Sequence, residues 1–464
     1  MQFAGLTQPL WSRRAFLRGT GAAGLGLASC GFLTACEHLT GMDVSNVTAT
    51  ISGTPGDSDP AGQKEFLTQV GEFERLHPHR YIVGSTYTFD PTNYYIRLAA
   101  GEAEDSFSVY LTEPQFLIEQ HAIADITDLI KGWQYFDSFV PSFLHIMTGP
   151  GNRIYGIPLG GYALGLLYNR RLFMQAGLNP DRPPTTWKEF REYARRLTGA
   201  GVVGFAEVSG ANQGGWHFTS WMYSVGGDLQ RQNGDKWVAV FNSEKGIEVL
   251  NLLMEMRFGD QSMSVQPLQN TADVLALMAT GNIAMAVMAP DALATLRSQR
   301  GANLDDFGLG PMPQNGGNAT LAGGGAWVFN PKSSPEVLQT AFDWIMFSNY
   351  DLHLLEERFK RSARIGRPIG SPTDAVCTGV FKQKLDALVA KYANMPIHNY
   401  LPFTMATPKL NLRTEPPIET QAMYSMIDHV MQTILTNAHA NPQALLDEAA
   451  HQFQIQILDN VVYR

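Results

Sequence analysis

Apolar positions along this chain recur with two periods that alternate from one segment to the next. Val47-Thr48-Ala49-Thr50-Ile51 has the two-residue period of a strand and stops at the turn-forming Gly53-Thr54-Pro55-Gly56-Asp57. Phe66, Val70 and Phe73 then share one face of a helix that ends before Pro78, and Tyr81-Ile82-Val83 resumes the strand pattern. Strand, helix, strand predicts an α/β domain with a parallel sheet. The alternation continues. Thr186 and Glu189 have capping-box spacing and open a helix with Trp187, Phe190, Ala194 and Leu197 inward. Val274, Leu277 and Met278 form a stripe stopped by Gly281, after which Ile283-Ala284-Met285-Ala286-Val287 reads as a strand. Ser334-Pro335 and Asn441-Pro442 start two further amphipathic helices.

Three glycine-rich stretches interrupt this rhythm. Pro158 to Asn169 is too rich in glycine for a helix and too long for a simple strand; Leu321 to Trp327 is a glycine run leading into a strand; Arg364 to Ser371 is the third. They read either as surface loops or as extended crossings between two lobes, where glycine permits the dihedral changes of a hinge. The length of 464 residues favours two domains over one core.

Composition narrows the class. Hydrophobic residues make up 44% and charged residues 17%, the balance of a globular protein. The formal charge of −9 and the lack of any Lys/Arg run in the body argue against a nucleic-acid partner. Ser12-Arg13-Arg14-Ala15-Phe16-Leu17-Arg18 reads as a twin-arginine export signal, followed by an apolar Gly19–Ala35 stretch without acids. Leu33-Thr34-Ala35-Cys36 predicts cleavage after residue 35 and lipidation of Cys36, with Leu27-Ala28-Ser29-Cys30 as the alternative; residues 36–46 would be a tether. Cys377 is then the one remaining cysteine, so no disulfide framework is expected. No other segment reaches the roughly 18 apolar residues of a membrane span. Gly-x-Ser-x-Gly, His-Glu-x-x-His and Cys-x-x-Cys are all missing, while the many carboxylates leave a catalytic pair open by motif alone; the expectation is a binding protein with no catalytic residue, metal or cofactor.

Several local motifs, in order, resemble one family. Ile154-Tyr155-Gly156-Ile157-Pro158 with Leu167-Tyr168-Asn169, Pro184-Thr185-Thr186-Trp187, Gly281-Asn282-Ile283-Ala284-Met285 and the run Gly323 to Trp327 are similar to segments of the family 1 extracellular solute-binding proteins of ABC importers, the group that includes maltose-binding protein. The resemblance implies a two-lobed α/β periplasmic-binding fold with three crossings and a ligand cleft between the lobes. Lobe 1 would take 40–159 and 325–368, and lobe 2 would take 160–324 and 369–464. It implies a monomer that binds a carbohydrate, an ABC permease as partner, and an outer-face or periplasmic location.

Ligand positions carry over one by one. Asp57 matches a family carboxylate that accepts sugar hydroxyls, and Tyr110, Thr112 and Glu113 end a strand segment that lines the cleft, with Glu104 where a Pro is usual. Tyr162 and Asp291 fall where maltose-binding protein has an acid and a stacking Trp, departures that point away from maltose itself. Trp216, His217 and Trp221 lie in the second-lobe ligand region, Gly324 in the return crossing and Tyr400 in the late C-terminal segment. Such a set suits a pyranose, whose hydroxyls need donors and acceptors and whose C–H faces pack on rings. Two alternatives stay open: a binder of polyamine, iron or glycerol phosphate with the same fold, and a secreted carbohydrate-active enzyme.

Overall fold

The computed structural model describes residues 45–460 other than 58, 59, 235, 267 and 373–375; the export signal, Cys30 and Cys36 lie outside the described residues. Strands β1 (Val47–Ile51), β2 (Arg80–Gly84) and β3 (Ser106–Tyr110) are parallel in the order β3-β1-β2, and helix α1 (Pro60–Leu76) crosses between the first two. The Pro158–Asn169 stretch resolves into β4 (Gly156–Ala163) and β5 (Gly165–Asn169), separated at Leu164. Helix α2 (Trp187–Leu197), β6 (Val203–Phe205), α3 (Gln213–Ser224), β7 (Ile283–Met288) and β8 (Phe307–Pro311) follow. The long β9 (Ala319–Phe329) leads to α4 (Pro335–Tyr350), α5 (Leu352–Arg364), α6 (Gly379–Tyr392), β10 (Asn411–Arg413) and α7 (Thr420–Thr436).

These elements build two lobes around separate cores. In the first, Ala49, Ile51, Ile82, Phe107 and Val109 of the sheet meet Phe73 of α1 and Trp344 and Phe347 of α4. Phe73 and Trp344 meet edge to face at 5.5 Å. In the second, β8-β5-β7-β6 form a sheet covered on both faces, which is why β7 is apolar at every position. The two-residue period sends Leu166 and Tyr168 to one face with Met285 and Val287, and Leu167 to the other with Ala286 and Met288. Each such fully buried large side chain contributes about 1.5–3 kcal/mol. Helix α2 is capped by Thr186, whose hydroxyl accepts from Glu189 N at 3.2 Å. The Glu189 carboxylate reaches back to Thr185 N (3.1 Å), one residue before the position a capping box requires.

Two strands run from one core into the other. Ile157 of β4 is buried in the first lobe and Ala163 in the second; Leu321 of β9 is buried in the second and Val328 in the first. β9 pairs antiparallel with β4 and, through its last half, with β3. The register shifts between Gly324 and Gly325, and a Cβ on Gly324 would come within 2.3 Å of the Gly160 carbonyl oxygen. Only glycine permits that approach.

The third connection departs from the expected division at residue 369. Ser371 Oγ donates to the Pro290 carbonyl of the second lobe at 2.8 Å. The chain then returns, and Val376, Cys377 and Phe381 are buried in the first-lobe core, with Phe381 5.2 Å from the Trp133 ring. Residues 376–381 thus pack with lobe 1, because Phe381 fills an aromatic nest made by Trp133 and Tyr350. Met395 and Phe403 are buried in the second lobe again. Asn394 ties the two passages together, accepting from Ile369 N at 2.9 Å and donating to the Arg367 carbonyl at 2.7 Å.

Candidate ligand-binding cleft

The carboxyl ends of β1 to β3 face the second lobe across a cleft of ≈ 690 Å³. Ligands of open α/β sheets bind beyond this end of the strands. Phe107 and Val109 of β3 point into the core, and the strand delivers Tyr110 at its end, 69% exposed, onto the cleft wall. Phe89 adds a second ring from the first lobe. Leu159, Tyr162 and Gly324 come from the crossing strands, and Gln213, Trp216 and Glu415 from the second lobe. The Tyr162 and Trp216 rings meet edge to face at 5.9 Å, leaving an L-shaped aromatic corner.

Trp216 reaches the cleft because the start of α3 is clamped. Ala211 and Asn212 hold left-handed backbone (φ 59 and 64), and Asp428 of α7 accepts from Asn212 N at 2.7 Å and Gly215 N at 2.8 Å. These are the N–H groups that a helix start leaves without partners. Two neighbours of Trp216 go elsewhere. His217 and Trp221, one helical turn apart, are both 0% exposed and point into the second-lobe core. The imidazole Nδ1 lies 2.5 Å from Glu207 Oε1, and the Trp221 indole donates to Glu207 Oε2 at 2.7 Å. Their expected place on the cleft wall is therefore corrected: both hold a buried carboxylate. Tyr400 is corrected likewise; it is 1% exposed in the core that contains Met395 and Phe403.

Of the expected ligand residues, the structure brings Tyr110, Tyr162, Trp216 and Gly324 together on the cleft wall. Thr112 and Glu113 stand beside it, with the Thr112 hydroxyl donating to Glu113 Oε1 at 2.9 Å. Asp291 sits exposed just before the helix Ala292–Arg300, close enough to act on the Tyr162 hydroxyl. Asp57 occupies an exposed turn after β1 and is not among the described residues that line the cleft. Ser108, Gln213, Glu415, Gln421 and Tyr424 line it without having been singled out in the sequence.

The electrostatics of the cleft are acidic. Burial pushes the Glu415 carboxyl up to about 7; the Tyr424 hydroxyl, donating at 3.2 Å, works against this, and the nearby Glu113 adds to it. Glu113 is itself raised, first by burial, and Glu419 contributes. The Tyr162 hydroxyl is pushed far up by burial and by Glu415. No Lys, Arg or His is among the described residues that line the cleft. A wall of rings, amides and a carboxyl offers donors, acceptors and apolar faces together.

The same architecture recurs in known proteins. The chain is 27% identical over 249 residues to a probable amino-acid ABC transporter periplasmic-binding protein of Sinorhizobium fredii, covering 51% of this chain and 54% of that protein. It is also 27% identical over 249 residues to the sn-glycerol-3-phosphate-binding periplasmic protein of Escherichia coli (strain K12), covering 50% and 54%. The chain thus spans about half the length of the curated relatives it matches. An ABC transporter solute binding protein from Thermotoga lettingae TMO, solved with bound α-D-tagatose, shares the fold with a TM-score of 0.66 at 20% identity, covering 88% of this chain and 98% of that one. Among the described residues, no helix is long and apolar enough to cross a membrane. The family model for bacterial extracellular solute-binding proteins matches residues 56–347, well over half of the chain, and the protein belongs to that family.

Proposed function

We propose that this chain is the extracytoplasmic substrate-binding component of an ABC importer and that its interlobe cleft captures an uncharged carbohydrate. The observation that carries this reading is the cleft wall itself: Tyr110, Tyr162 and Trp216 supply ring faces, Gln213, Gln421 and Glu415 supply hydrogen bonds, and no cationic side chain is among the described lining residues. A sugar needs that combination, whereas a phosphate ester needs cations or a free helix N-terminus. The N-terminus of α3 is already taken by Asp428. Export by the twin-arginine signal, lipidation at Cys36 and action as a monomer that delivers ligand to the permease complete the proposal. Binding in such a site needs no catalytic residue or cofactor.

A second reading has its own support. Glu113, Glu415 and Asp291 surround the cleft, and acids suit a polycation such as a polyamine. A thermal-shift panel separates the two readings. A ligand at 100 times its Kd adds about 2.7 kcal/mol of stability. A mono- or oligosaccharide is expected to raise Tm by several degrees, with spermidine and glycerol 3-phosphate giving less. A spermidine shift exceeding that of every sugar would transfer the assignment to the polycation.

A further inference from the structure

Tyr162 and Gly323 are direct partners where the crossing strands β4 and β9 pair. A Cβ on Gly323 would lie 2.4 Å from the Tyr162 hydroxyl oxygen, 2.6 Å from Cζ and 3.2 Å from Cε1. Near-equal reach to Oη and Cζ, with Cε1 further off, sets that Cβ over the flat of the phenol rather than at its rim. The hydroxyl end of the ring therefore lies face down on β9, in the space that any side chain at 323 would take. Gly323 is buried and is not among the described residues lining the cleft, so what it does for the cleft it does through that ring.

The backbone itself does not require glycine at this position. The φ of Gly323 is not in the left-handed region, and the three atoms nearest to its absent Cβ all belong to the tyrosine. Its neighbour Gly324 differs, because there the obstacle is the Gly160 carbonyl. Alanine would be an ordinary strand residue at 323 but for the ring. That ring has little room to yield. Tyr162 and Trp216 both pack against the second-lobe core and meet edge to face at 5.9 Å. Lifted off Gly323, the phenol must turn against Trp216 or out into the cleft, and either movement breaks the aromatic corner of the wall.

Resting on the carbohydrate reading above, we infer that Gly323 is a positioning residue: by carrying no side chain it lets Tyr162 lie flat on β9 and so fixes the ring that a sugar packs against. A double-mutant cycle of Gly323→Ala and Tyr162→Ala tests this. Calorimetric titration with glucose, galactose, mannose, xylose and maltose gives the affinity. Near-UV circular dichroism and thermal melting need no ligand and report the packing of the ring. Gly323→Ala should weaken the sugar that binds best by at least about tenfold, alter the aromatic dichroism and lower Tm. In the Tyr162→Ala background the same substitution has nothing to strike, so affinity should stay within about twofold and neither dichroism nor Tm should fall further. Where Tyr162→Ala alone abolishes binding, dichroism and melting carry the cycle. A Gly323→Ala protein that folds only when Tyr162 is also replaced would support the contact as well. Gly323→Ala that binds and melts like wild type, or that does equal damage with and without the tyrosine, would overturn the role. If no sugar of the panel binds wild type while dichroism and Tm still couple, the carbohydrate reading falls and the placement of Tyr162 by Gly323 stands.

Discussion

Glu415 is the one charged residue among the described residues lining the cleft, and burial brings its titration to about 7 from an ordinary value of 4.5. The folded protein therefore holds a proton that the unfolded chain has released between those two values. Stability falls as pH rises through that window and levels off above it. Glu415→Gln removes the penalty: the variant should melt higher than wild type at pH 8, equal it near pH 4.5, and show a flatter Tm profile between. Parallel melting curves of the two proteins across that range would mean that Glu415 is better solvated than the structure shows. This residue was illegible in the sequence for a physical reason. Its burial depends on how distant segments pack around it, the charge that raises it further sits on Glu113, some three hundred positions away, and nothing in Arg413-Thr414-Glu415-Pro416-Pro417 marks it locally. Tyr110 could be placed because it lies at the end of a strand segment that the sequence marks.

Elements announced themselves where one face was polar. α2, with Trp187, Phe190, Ala194 and Leu197 buried and its other positions outside the core, follows the helical period residue for residue. α3 does not: from Gly214 to Ser224 every residue but Trp216 is buried, so no polar face orients it. The aromatic cluster Trp216-His217-Trp221 therefore gave no sign of which ring meets the cleft. The two tryptophans should now behave oppositely. Trp221→Ala leaves a large cavity and takes the indole donor from Glu207 Oε2, and the loss of the buried ring alone costs about 3–5 kcal/mol. Trp216→Ala removes a half-buried ring from the cleft wall; Tm should drop by only a few degrees while sugar affinity falls at least about tenfold. Thermal melts and titration of both variants check this. A Trp221→Ala protein that keeps its Tm and loses its ligand would reverse the assignment of the helix faces.

At the scale of the whole molecule, the α/β class was readable because strand and helix periods alternate, while the two lobes were implied by the resemblance of local motifs to the family. The path of the chain between lobes was less readable. Phe381 joins the first lobe by packing on Trp133 and Tyr350, partners from two distant segments, and no local pattern specifies such a contact. β4 and β9 both run from one core to the other and pair at Gly161 and Gly324, where the register shifts and side chains are lacking. That pair is the natural place for the lobes to rotate. Ligand closes them only if it binds the closed form more tightly than the open one. Tyr110 stands on the first-lobe wall of the cleft and Trp216 on the second-lobe wall, so a ligand that gains contacts to both on closure would supply that difference. Small-angle X-ray scattering of the protein with and without a saturating concentration of the sugar identified by thermal shift measures this directly. The radius of gyration should shrink on loading and return on dialysis. An unchanged radius, with binding confirmed by calorimetry on the same sample, would contradict capture by closure between the lobes.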